Sequence, residues 1–163
     1  MSITLGVIVF SKTNSFAQAS ATATSSATIV TPISISKTVD MNFGNVAVSG
    51  TAGTVVLAPA GTRTNTGGTT LPATTGTVTA AAFTVSGQGS YTYAITLPTT
   101  VTLTSGANNM TATTFTSTPA GTGALAAGGT QTLNVGATLN VGATQAAGSY
   151  TSATPFTVTV NYN

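Results

Sequence analysis

The 163 residues contain four charged side chains, Lys12, Lys37, Asp40 and Arg63, and no histidine, cysteine, tryptophan or glutamate; the formal net charge is +2. Soluble domains carry roughly a quarter charged residues, so this composition excludes most chemistry at the outset: acid–base catalysis, thiolate nucleophiles and metal clusters all draw on Asp, Glu, His or Cys. No basic cluster exists to neutralise a row of phosphates, which argues against nucleic acid as a partner.

Residues 3–10 form a short apolar run, and Phe16-Ala17-Gln18-Ala19 follows it with an A-x-A pattern. That combination predicts a signal peptide over residues 1–19, although no positive residue precedes the run. The run is too short to span a bilayer, so export without stable membrane insertion is expected. The mature chain would begin at Ser20 and be extracellular.

From there, period-two alternation dominates, and period two means strands. Ala21, Ala23, Ser25, Ala27 and Ile29 share one face with Thr31, Ile33 and Ile35; Thr22, Thr24, Ser26 and Thr28 make the other. Pro32 has no N–H to give a ladder, which divides this stretch into arms of about 21–28 and 29–37. Met41 and Phe43 continue the alternation to a bend at Gly44-Asn45, then Val46-Ala47-Val48, then a short strand over 54–57. Residues 60–68, rich in Gly, Thr and Asn, read as a loop. A strand over 82–86 turns at Gly87-Gln88-Gly89 into Tyr91, Tyr93, Ile95 and Leu97, which predicts a hairpin. Strands around Val101 and Leu103 and over 109–118 follow, and 120–129 reads as small and flexible.

Leu133, Val135, Ala137, Leu139, Val141 and Ala143 then lie on one face of a long strand, which holds the hexapeptide Leu-Asn-Val-Gly-Ala-Thr twice, at 133–138 and 139–144. Two copies are too few for a β-helix; Gly136 or Gly142 is expected to mark a bulge or a close backbone contact. The last strand carries Phe156, Val158, Val160 and Tyr162 on one face. No stretch has helical periodicity. One domain of short strands with Gly, Pro and Asn punctuation predicts an all-β antiparallel sandwich over residues 29–163.

Several chemistries have their residue types present but not their pattern. Lys37, Asp40 and Asn161 could in principle supply an isopeptide bond, yet a surface Lys–Asp pair is the plainer reading. A single aspartate is too few for calcium, serine lacks a histidine partner, and the glycine runs lack the lysine of a phosphate loop. Asn109-Met110-Thr111 matches a glycosylation sequon. No catalysis, cofactor or metal is expected.

The runs 29–35 and 40–46, together with the alternating Phe156–Tyr162 ending, resemble a family of secreted bacterial domains of unknown function whose sequences are similar to those of fimbrial subunits. The resemblance implies an immunoglobulin-like pilin fold, completed by a neighbour's N-terminal strand, and head-to-tail polymerisation with copies of itself by donor-strand exchange. It further implies a periplasmic chaperone and an outer-membrane assembly protein as partners, with adhesion or biofilm as the setting. Classical chaperone–usher pilins often carry a disulfide, and this chain has no cysteine. On this reading residues 20–28 are the donor arm: Ala21, Ala23, Ser25, Ala27 and Ile29 enter a neighbour's groove lined by Ile33, Ile35, Phe156, Val158, Val160 and Tyr162. The same arm also reads as a strand of its own domain or a disordered leader. The rival functions are a monomeric secreted surface-binding module and a surface-layer or matrix protein.

Overall fold

A computed structural model describes residues 17–163, so the signal-peptide expectation falls almost wholly outside the described residues. Ten strands follow in chain order: β1 (Ser34–Val39), β2 (Ala47–Leu57), β3 (Arg63–Thr70), β4 (Ala81–Ser86), β5 (Thr92–Thr96), β6 (Thr100–Ser105), β7 (Asn108–Thr118), β8 (Thr122–Ala124), β9 (Thr130–Val141) and β10 (Thr159–Tyr162). All pairings are antiparallel and no described residue is helical. The chain is the all-β sandwich its alternation predicts.

The architecture is organised by β9. One of its long edges pairs first with β4 (Ala81↔Val135 to Ser86↔Thr130) and then with β2 (Gly53↔Val141 to Leu57↔Ala137). The other edge pairs with β7. Strand β1 extends the sheet beyond β4, β3 beyond β2, and β6 beyond β7, giving seven strands in one layer. The handover from β4 to β2 occurs at Gly136, where a Cβ would lie 2.1 Å from the Leu57 carbonyl oxygen. This glycine is the close backbone contact anticipated from its place in the repeat.

The second layer is the three-stranded sheet β10-β5-β8. It covers only one half of the large sheet. There, Ala81, Phe83, Val85, Leu133 and Val135 of the first layer meet Tyr93, Leu125, Val158 and Val160 of the second in a closed core. A second cluster, with Phe43, Val55, Leu57, Ala112, Ala137, Leu139 and Val141, lies along the other half of β9 and is covered by irregular chain. Phe156 stands between the two, with ring centroids 5.4 Å from Phe115 and 6.4 Å from Phe83.

Four local expectations are corrected. Residues 60–68 are not simply a loop, because Arg63–Thr70 forms β3 against β2. Its side chains are mostly exposed and polar, so it carries no apolar alternation. The 82–86 and 91–97 segments do not form a hairpin: β4 pairs with β1 and β9, whereas β5 pairs with β10 and β8 in the other layer. Residues 87–91 carry the chain from one layer to the other. Within 120–129, Thr122–Ala124 is a strand and Leu125 is buried. The last strand is shorter than its alternation suggests, since pairing begins only at Thr159.

Candidate assembly site

Two features stand apart from the closed core: an arm that joins no strand and a groove open to solvent. Residues 17–33 belong to no strand, and every side chain from 17 to 29 is exposed. Ile29 is 93% exposed, the most exposed large apolar side chain among the described residues. The arm is nevertheless rooted. The Thr31 N–H donates to Gln88 Oε1 at 3.3 Å, and the Tyr162 hydroxyl donates to the Thr31 carbonyl at 2.7 Å while accepting from the Gln88 N–H at 2.6 Å. Pro32 disfavours helical geometry at Thr31, so the chain enters β1 extended.

The expected acceptor residues are distributed differently from the sequence reading. Strands β1 and β10 are edges of different layers, and their apolar side chains face the same closed core. Val158 and Val160 are 7% exposed, with Ile33, Ile35 and Tyr162 packed against them. These five residues therefore fill their own subunit's core. Phe156 alone of the six also lines an open groove.

That groove, about 870 Å³, lies over the other half of the large sheet. Val101 and Leu103 of β6, Met110 and Ala112 of β7 and Leu139 and Val141 of β9 face it. One wall is residues 40–48, the other residues 145–152. Both walls are fastened by side chains that the sequence reading passed over. Arg63 Nη1 donates to the carbonyls of Phe43 and Asn45, the latter at 3.0 Å, and so holds the bend around Gly44. Gly44 has φ +67°, and a Cβ there would approach the Thr75 carbonyl oxygen to 2.4 Å. On the opposite wall, Gln145 Nε2 donates to the Asn109 carbonyl at 3.2 Å and to the Tyr150 hydroxyl at 2.8 Å. The Tyr150 hydroxyl donates to the Ala146 carbonyl at 2.7 Å. Arginine in a Thr/Gly-rich stretch with so few other charges was the available signal for the first fastening; the second has no local signature.

Charge chemistry is sparse. Lys37 and Asp40 form a surface pair at 2.6 Å, with side chains 55% and 79% exposed. Among the described residues no three His, Cys, Asp or Glu side chains gather as metal ligands, and no helix is long and apolar enough to cross a membrane. Tyr93, in the closed core, donates to Gln131 Oε1 at 2.7 Å, and burial pushes its phenol above the ordinary value.

Residues 33–162 match a family model described as domain of unknown function (DUF4402). Neither the curated proteins nor the solved structures provide a match.

Proposed function

This chain belongs to the family of the domain of unknown function DUF4402, and we propose that it is a structural subunit of an extracellular filament that polymerises by donor-strand exchange. The observation that carries the reading is the arm. It has strand periodicity, no charge, an apolar face of Ala21, Ala23, Ser25, Ala27 and Ile29, and no strand partner within its own subunit. An exposed alternating segment of this kind adds to a neighbour's sheet through main-chain hydrogen bonds, with alternate side chains in pockets. Head-to-tail repetition of such a contact is heterologous and need not close, and an unclosed repetition is a filament. Very low charge supports the same reading, because it leaves a monomer little electrostatic protection against association.

The route outward on this reading passes through export and an outer-membrane assembly step, with a chaperone shielding the unpaired subunit beforehand. The reading assigns no catalytic role. Its test is deletion of residues 20–28 followed by electron microscopy of the cell-surface fraction. The expected result is a secreted, folded monomer that does not extend. Filaments of normal length from the deletion variant would overturn the donor assignment.

A further inference from the structure

Resting on the filament reading, we infer that the arm of one copy enters the groove between residues 40–48 and 145–152 of the next copy, rather than the β1/β10 edge. The apolar face of the arm lies over β6, β7 and the C-terminal half of β9, with Ile29 at the groove mouth.

Cover is the first argument. Over Leu133 and Val135 the second layer is a sheet, and the space is filled; over Leu139 and Val141 it is two irregular segments with a groove of about 870 Å³ between them. The groove stands where a strand of the second layer is missing.

Backbone pairing is the second. Ala47 and Val48 pair with Thr70 and Thr69 of β3 on one side, while β2–β9 pairing begins only at Gly53. Because β9 has ended at Val141, the other side of residues 46–48 faces the groove, offering main-chain groups to an incoming strand.

Polarity is the third. The arm leaves the domain beside Ser86–Gln88, at the start of β1, whereas the groove begins at Asp40, beyond its end. The intervening six residues of β1 separate the two by about 20 Å. Thr31 is hydrogen-bonded through both its N–H and its carbonyl at this end of the domain, and residues 17–29 beyond it are exposed and uncovered by their own subunit. Root and receptor at opposite ends are the geometry of a head-to-tail chain.

Fit is the fourth. The floor is apolar and uncharged, and the floor strand from Met110 to Phe115 is about 20 Å long. It accepts about six extended residues, three of them facing inward. Alanine- and serine-sized plugs suit a floor whose Leu139 and Val141 are already nearly buried. Ile29, the one large side chain of the arm face, would meet Val48, itself 38% exposed on the groove wall.

The chain has no cysteine, so engineered pairs are unambiguous. Full-length chain carrying Ala27→Cys, two residues from Ile29 on the same face of the arm, with Ala47→Cys, next to Val48, treated with a short bis-maleimide, is expected to give a ladder of cross-linked subunits. Ala27→Cys with Asn161→Cys, on β10, is expected to give none. A ladder from the second pair alone, or filaments with no ladder from either, overturns the groove assignment while leaving the filament reading standing. Failure of the unsubstituted chain to form filaments at all overturns both. As an independent arm, Ile29→Asp changes a side chain that its own fold does not use, and is expected to lower filament yield by about tenfold or more with the monomer still folded. Unchanged yield removes Ile29 from the contact and overturns the proposed register.

Discussion

The hexapeptide Leu-Asn-Val-Gly-Ala-Thr occurs twice along β9, and its two copies lie under different covers. Leu133 and Val135 of the first copy are fully buried beneath Tyr93, Val158 and Val160 of the second layer. Leu139 and Val141 of the second copy have the same identities, face the same way and are nearly as buried, at 3% and 4% exposure, yet they border the groove. The polar position of the repeat differs as well. Asn140 donates from Nδ2 to Thr113 Oγ1 at 2.9 Å and to the Thr111 carbonyl at 3.2 Å, tying the open half to β7. Identical local sequence thus serves a sealed core and one that borders an open groove, and the difference comes from what the chain places opposite.

The sharpest test of that comparison is a pair of identical truncations. Leu133→Ala leaves a sealed cavity and is expected to cost about 2–5 kcal/mol. Leu139→Ala is expected to cost roughly half as much, because the space it leaves opens onto the groove and no enclosed void remains. Urea unfolding of the monomer lacking residues 20–28 measures both; equal costs would break the comparison.

The next effect concerns the groove wall. Arg63→Ala removes the guanidinium from the carbonyls of Phe43 and Asn45. A loss of about 1–3 kcal/mol is expected for hydrogen bonds to a charged donor. Hydrogen exchange should show faster opening confined to residues 43–46, whereas a uniform loss of protection would mean that Arg63 supports both halves alike.

Tyr93→Phe probes the sealed half and is expected to cost about 1 kcal/mol, since Gln131 Oε1 keeps its bond from the Ala124 N–H. The sign of its pH dependence follows from burial. The folded phenol holds its proton to higher pH than the unfolded one, so its contribution is fully present below about pH 10 and is lost as pH rises beyond that. The alkaline fall in stability should therefore be smaller in Tyr93→Phe, and an unchanged alkaline profile would remove Tyr93 as its source. The smallest effect is Lys37→Ala. Its ion pair with Asp40 is exposed and is expected to contribute under about 1 kcal/mol, less at high salt. This surface change belongs to neither half, and thermal melts at two salt concentrations set its scale.

Strand periodicity was legible wherever one face is buried. The alternations at 82–86, 109–118 and 133–143 correspond to β4, β7 and β9, except that β9 ends at Val141 and leaves Ala143 exposed beyond it. It failed for β3, whose Thr, Asn and Gly residues form a mostly exposed edge with no apolar face to read. It also failed for pairing. Tyr93 and Phe83 both alternate as core residues, but period two does not say that one belongs to each layer. The candidate arm was legible because its alternation, small residues and lack of charge are all local. The groove was not, because its floor comes from β6, β7 and β9 and its walls from segments a hundred residues apart in the chain.

Sequence alone determined that this protein is built of strands, which side chains share a face, and that it carries almost no charge. Tertiary structure alone decided that β9 divides its edge between β4 and β2, that the second layer stops halfway, and that five of the six expected acceptor residues are occupied within their own core. The physical reason is that alternation is a property of neighbours in the chain, fixed by backbone geometry. Cover is a property of residues far apart in sequence, settled only when the strands have chosen their partners.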